Sequence, residues 1–301
     1  MQKKPGFINC NTVKWALQNG SRAIFTVARL DELHPFVSGN KYFKLKYNIE
    51  AVNRYNKKGI ITMGGAYSNH LPATAFACRE AGLASIGIVR GGAIAPLNHT
   101  LTFCKEHGMM LINCERNQFN RNSSYVQELV AEYGDYFFVP EGGDNPEGLK
   151  GCEEILTHIQ DADFFRYILC CMGTGTTFRG IAAAAKKYQT VIGIPVLKIK
   201  EEDQADFLRE HATVTTNAST AVLFSYGGRG YAKQDNTLVC FMNQFYRQTG
   251  IPTDFVYTAK LMYAVNDLFE KKYFEKDAGV LVLHTGGLQG NDSLPRGTLA
   301  F

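Results

Sequence analysis

The chain has 301 residues, of which 45% are hydrophobic and 20% charged, and a formal net charge of +4 at pH 7. That is the make-up of an ordinary globular protein with ample core, long enough for about two domains. It excludes a nucleic-acid footprint, and no apolar run approaches the ~18 residues that span a bilayer.

The eight cysteines form no C-x-x-C pair, and several sit in apolar runs such as Leu169-Cys170-Cys171-Met172. There a free thiol behaves as a small hydrophobe, which suits a reducing compartment. Met1-Gln2-Lys3-Lys4-Pro5 carries charge without an apolar signal core behind it, so a cytoplasmic location is expected. The seven histidines show no H-E-x-x-H or other metal spacing, and no metal site is expected.

In chain order, residues 23–29 read as a strand, followed by the turn Ser38-Gly39-Asn40-Lys41. Leu45, Ile49 and Val52 then recur at helical spacing, which puts Lys41 just before or within the first turn of a helix. An amine there lies near the positive end of the helix dipole, which disfavours its protonated form. A neutral amine is what condensation with an aldehyde requires. For a single lysine, a solvated turn residue is the commoner case.

Strands are then predicted at 59–63, 85–89, 109–114 and 136–139, alternating with helices near 71–80, 98–107 and 125–133. The turn cluster Pro140-Glu141-Gly142-Gly143-Asp144-Asn145-Pro146 marks a domain boundary. Beyond it the alternation restarts, with a helix near 148–160, a strand at 167–172, a helix at 178–187 and a strand at 191–197. A strand at 221–225, helices at 242–249 and after Tyr257, and a strand at 279–283 complete the series. Regular strand–helix alternation implies parallel sheets flanked by helices, so the fold class is α/β with two sheets.

Three stretches that directly follow strands carry candidate chemistry. Gly173-Thr174-Gly175-Thr176-Thr177 opens a helix, where glycines admit an anion to backbone N–H groups and the threonines add donors. It lacks a Walker ending, and Phe178 stands where a dinucleotide fingerprint has its third glycine. A smaller phosphorylated cofactor fits better than a nucleotide, and a plain strand–helix turn is the competing reading. In Gly64-Gly65-Ala66-Tyr67-Ser68-Asn69-His70, Asn69 could bind a phenolate-like oxygen and Ser68 a carboxylate, or either could cap the helix. In His284-Thr285-Gly286-Gly287 the threonine could meet a ring nitrogen or simply face the core. Tyr231 and Tyr257 are two of fifteen tyrosines, and composition gives them no priority.

Together these motifs resemble the fold-type II pyridoxal-phosphate enzymes, in the branch of 1-aminocyclopropane-1-carboxylate deaminase and D-cysteine desulfhydrase. Ser38-Gly39-Asn40-Lys41-x-x-Lys44-Leu45 is similar to that branch's Gly-Gly-Asn-Lys-x-x-Lys-Leu, with serine in place of the first glycine. Gly64-Gly65-Ala66-Tyr67-Ser68-Asn69-His70 matches its Gly-Gly-x-x-Ser-Asn-His/Gln.

The resemblance implies pyridoxal 5′-phosphate as cofactor, held by Lys41, with Asn69 at its O3′, Gly173, Thr174, Gly175, Thr176 and Thr177 on its phosphate and Thr285 at its ring nitrogen. It implies a small amino-acid substrate bound by Ser68, Asn69, His70 and Thr258, with Lys41, Ser68, Tyr231 and Tyr257 as the catalytic set. It also implies a homodimer, and a large cofactor domain of residues 1–46 and 147–301 into which a small α/β domain of residues 47–146 is inserted.

Within the branch, the cyclopropane deaminases have Tyr-Glu-Gly-Lys and His-Leu-Gly-Gly where this chain has Tyr257-Thr258-Ala259-Lys260 and His284-Thr285-Gly286-Gly287. A carboxylate beside the pyridine nitrogen makes a strong electron sink, and a neutral threonine a weaker one. The weaker sink suffices for β-elimination, so D-cysteine desulfhydration is expected ahead of cyclopropane opening. A non-catalytic ligand-binding protein of the same fold is the alternative of another class, and intact Lys41, Ser68 and Asn69 speak against it.

Overall fold

A computed structural model describes residues 6–301 apart from Asn19, residues 92–96, Tyr231 and Gln234. The chain opens with strands β1 (Cys10–Ala16) and β2 (Arg22–Arg29). It continues through α1 (Asn40–Arg54), β3 (Gly59–Gly65), α2 (His70–Glu80), β4 (Ala84–Arg90) and α3 (His99–Glu106). Then come β5 (Met109–Cys114), α4 (Ser124–Glu132), β6 (Tyr136–Val139) and α5 (Pro146–Glu153). The remainder supplies β7 (Phe165–Met172), α6 (Thr176–Ala184), β8 (Thr190–Pro195), α7 (Gln204–His211) and β9 (Ser219–Val222). Helices α8 (Asn236–Thr249) and α9 (Thr258–Glu270) and strand β10 (Gly279–His284) follow.

These elements form two units, one from residues 34–151 and one from residues 6–33 with Cys152–Phe301. The boundary expected at 46/47 lies inside α1, whose buried Phe43, Leu45 and Val52 belong to one packed face. Cutting there would divide a single amphipathic stripe. Lys41, expected with the large domain, therefore shares a unit with Ser68, Asn69 and His70. The second division falls at 151/152 within α5, a few residues beyond the expected 146/147.

The first unit holds a wholly parallel sheet in the order β5-β4-β3-β6. Its central strand β3 is an apolar run, with Ile60, Ile61 and Met63 buried, as a strand covered on both faces requires. The second unit holds a six-stranded sheet in the order β1-β2-β10-β7-β8-β9, parallel except for the β1–β2 pair.

Strand β1 and helix α7 have no counterpart in the sequence reading. In β1 only Val13 and Trp15 face the core, an alternation too short to separate from loop. Trp15 packs on Phe241 and Phe245 of α8 and donates from Nε1 to Asn266 Oδ1 at 2.7 Å. Helix α7 buries Phe207 alone, so it carries little hydrophobic periodicity. The helix expected at 148–160 stops at Glu153, and Ile155–His158 winds into a tighter 3-10 turn. There Ile155 and Leu156 are both buried.

Each sheet has a point where the strand order reverses, and open α/β sheets bind ligands outside the carboxyl ends of the strands there. In the first unit it falls between β3 and β6, so the turn after β3 and the loop after β6 meet. In the second it falls between β7 and β10. Val282 pairs with Leu169, so three residues further along each strand Thr285 comes level with Met172, just before the Gly173 loop.

Candidate active site

In the first unit Lys41 is the second residue of α1, half-buried, and its Nζ donates to Asn40 Oδ1 at 3.1 Å. Gly39 heads the helix without a side-chain cap. Lys44, one turn further along the helix, is buried and its Nζ donates to Gly142 O at 2.8 Å. It thereby ties α1 to the loop after β6. Asn48 continues the tie, accepting from Asn145 Nδ2 at 2.7 Å.

The turn after β3 closes through Ser68 N donating to Gly65 O at 2.9 Å, and Ser68 Oγ then accepts from His70 N at 3.1 Å. Gly64 is needed for this closure, because a Cβ there would lie 2.8 Å from Ser68 Oγ. Asn69 occupies the cap position of α2 but makes no side-chain capping bond, so capping does not account for its amide. Ser68 and Asn69 are half-buried.

His70 is buried, and its protonation follows from its neighbours. Thr62 Oγ1 donates to Val139 O at 2.6 Å, which commits the hydroxyl proton. His70 Nε2, 2.9 Å from the same oxygen, must then be the donor. Nδ1 is left as an acceptor that is buried without a hydrogen-bond partner. Burial, together with the positive charges of Lys41 and Lys44, pushes His70 well below the ordinary histidine range. The unit therefore gathers an amine, a hydroxyl, a carboxamide and a neutral imidazole around one sheet edge.

In the second unit Gly175 caps α6 with φ +76°, and a Cβ there would lie 1.9 Å from His211 O. Only glycine fits that position, and it places no side chain over the helix N-terminus. Thr174 Oγ1 and Thr176 Oγ1 are 3.0 Å apart, while Thr176 and Thr177 are buried. Tyr257 closes on the same loop, since a Cβ at Gly173 would touch its Cε1 at 3.6 Å. Thr285 is buried and lies beside the Cys171 thiol.

Thr258, expected to contact substrate, has a different task. It is fully buried, its Oγ1 donates to Asp254 Oδ1 at 2.7 Å and accepts from Asp254 N at 2.8 Å. Asp254 also receives the N–H groups of Val256, Tyr257 and Thr258, so four donors converge on one buried carboxylate. This cap sets the direction of α9 and the position of Tyr257 at its head. Sequence reasoning passed over Asp254, although an aspartate shortly ahead of an apolar helical run is a start signal. Tyr231 lies outside the described residues.

Beneath Thr285, His284 is fully buried between two acceptors. Its Nδ1 lies 3.0 Å from Asp31 Oδ1 and its Nε2 2.7 Å from Pro252 O. Asp31 is further gripped by Arg29 through Nε at 2.9 Å and Nη2 at 2.7 Å. Burial raises the Asp31 carboxyl, but His284 and Arg29 outweigh it and hold the group down to about 2.

A phosphorylated aldehyde suits the groups present. Within the second unit the 173–177 loop offers helix N–H groups and hydroxyls to an anion and Thr285 a hydroxyl to a ring nitrogen; within the first, taken by itself, Lys41 offers an amine to an aldehyde. Among the described residues no group of three or more His, Cys, Asp or Glu side chains is placed to hold a metal ion. Nor is any described helix long and apolar enough to cross a membrane.

Two α/β units with glycine-bearing ligand turns at their strand ends define a cofactor-dependent enzyme fold. The model of the pyridoxal-phosphate dependent enzyme family matches residues 15–286, and the chain belongs to that family. It is 24% identical over 277 residues to a putative 1-aminocyclopropane-1-carboxylate deaminase of Pyrococcus abyssi, covering 84% of this chain and 81% of that one. It is 26% identical over 279 residues to a D-cysteine desulfhydrase of Yersinia enterocolitica, covering 85% and 84%. A crystal structure of an ACC deaminase homologue superposes with a TM-score of 0.78 at 24% identity, over 95% of this chain and 91% of that one.

Proposed function

We propose that the protein is a lyase acting on a small D-amino acid with a β leaving group, D-cysteine first, giving pyruvate, ammonia and sulfide. The observation that carries this reading is the neutral hydroxyl of Thr285 at the end of β10, with Thr258 where the cyclopropane deaminases carry glutamate. The buried carboxylate of Asp254 is already engaged by four donors and is not available for that position. The relative named D-cysteine desulfhydrase supports the same choice.

Bound pyridoxal phosphate supplies the electron sink that stabilises negative charge at the substrate Cα. Lys41 Nζ would hold the cofactor and, with its amine free, would take the Cα proton of the substrate. Ser68 and Asn69 fix the substrate carboxylate and the cofactor O3′, and the neutral His70 offers Nδ1 as an acceptor. Residues 173–177 anchor the phosphate, and Thr285 meets the ring nitrogen. Tyr257 and Tyr231 orient the substrate or assist the departing thiolate.

Cyclopropane-acid deamination is the second reading, favoured by the name of the Pyrococcus relative and opposed by Thr258 and Thr285. Formation of α-keto acid from D-cysteine, its analogues and the cyclopropane acid separates the two. Reduction with borohydride followed by peptide mapping should place a pyridoxyl group on Lys41, and Lys41→Ala should abolish turnover. Retention of most activity by that variant would sink the assignment. The reading also takes the enzyme as a cytoplasmic homodimer, and sedimentation velocity tests its assembly.

A further inference from the structure

Lys260, on the first turn of α9, is buried with 3% of its surface exposed, and the chemistry described above gives it no task. Its Nζ donates to Val196 O at 2.6 Å, to Gly227 O at 2.9 Å and to Gly230 O at 2.9 Å. Val196 continues β8 at the carboxyl edge of the sheet, where its N–H donates to Met172 O at 3.0 Å beside the phosphate loop. Residues 227–230 form a turn closed by Gly230 N donating to Gly227 O. That turn presses on the same strand end, since a Cβ at Gly227 would lie 2.2 Å from Leu197 O.

Three carbonyls around one amine require three N–H groups, which only the ammonium form has. A neutral amine would present two, and aim a lone pair at the third oxygen. We infer that Lys260 is a positioning residue, whose ammonium clamps the 227–230 turn and the start of α9 to the end of β8 next to the phosphate loop.

The titratable groups that face it are Asp254, ahead of α9, and Cys171, on β7; β8 and the turn reach it through carbonyls. Burial is the largest influence on Lys260 and lowers it to about 8, against the opposing pull of Asp254. The clamp is therefore released at mildly alkaline pH, where an ordinary lysine keeps its proton.

The test is limited trypsin digestion of the cofactor-loaded enzyme, comparing cleavage after Arg229, exposed in the turn, with cleavage after Lys272, exposed beyond α9. The ratio of the two rates cancels trypsin's own pH dependence. In the wild type, Arg229 cleavage should rise about tenfold relative to Lys272 between pH 7 and pH 9.5. Lys260→Met should show the high ratio already at pH 7, with no further rise. Over the same range the wild-type kcat/KM should fall through a raised KM, an alkaline limb that Lys260→Met lacks. A wild-type ratio that stays flat across this range overturns the inference, even if the variant fails to fold. A Lys260→Met ratio equal to the wild type at pH 7 overturns it too. The digestion needs no substrate, so its outcome is independent of which amino acid the enzyme consumes.

Discussion

Asp31→Asn removes the buried carboxylate between Arg29 and His284 while keeping its size. Holding that carboxyl at about 2 against an ordinary 3.8 corresponds to about 2.5 kcal/mol of native-state stability. Its side chain is only 2% exposed, so little solvent screening reduces the figure. The sign follows from the direction of the shift. A depressed carboxyl contributes fully above the unfolded value of 3.8 and loses its contribution as pH falls through about 2. Roughly half is already gone at pH 3.

The variant also leaves His284 facing a neutral amide, while Arg29 keeps Glu32 at 2.9 Å as a partial substitute. A net loss of about 3 kcal/mol at pH 7 is expected, the lower end for breaking a buried pair. Urea unfolding of both proteins at pH 7, 5 and 3 measures it. The gap between wild type and variant should narrow by about 1 kcal/mol between pH 5 and pH 3. A gap that stays constant over this range would refute the argument that Asp31 is held ionised by the Arg29 guanidinium and its hydrogen bond with His284.

Gly175→Ala places a Cβ against His211 O at a backbone angle of +76°; the left-handed conformation alone costs about 1–2 kcal/mol, so absorbance titration should show pyridoxal-phosphate affinity lower by about tenfold or more. Unchanged affinity would remove the 173–177 loop as the phosphate anchor. Lys44→Met breaks the bond to Gly142 O and should lower stability by about 2 kcal/mol in urea. Of the eight thiols, only Cys10 and Cys240 are exposed, and burial pushes Cys78 and Cys104 up to about 12. A thiol reagent should therefore titrate two groups quickly in the native protein, and a third fast thiol would contradict the described burial.

The sequence by itself determined the α/β alternation, because β3, β7 and β10 are apolar runs that end in glycine-bearing turns. Those signals are local and survive without tertiary context. It also marked Lys41 and the turns after β3, β7 and β10 as the places for chemistry. Strand β1 and helix α7 escaped it because each buries too little of its surface to imprint a period.

Only the tertiary structure decided which side chains are occupied. Thr258 reads as a substrate contact until Asp254, four residues earlier, is seen to take its hydroxyl. Lys260 reads as the last letter of a motif until three carbonyls from two separate segments close on its ammonium. The same holds for the His70 tautomer, fixed by Thr62 and Val139, and for Asp31, which meets His284 across 253 residues of sequence (284 − 31). For Lys260, His70 and Asp31 the physical reason is common. Burial makes a polar group depend on its partners, and partners brought together by strand order leave no mark at any fixed spacing along the chain.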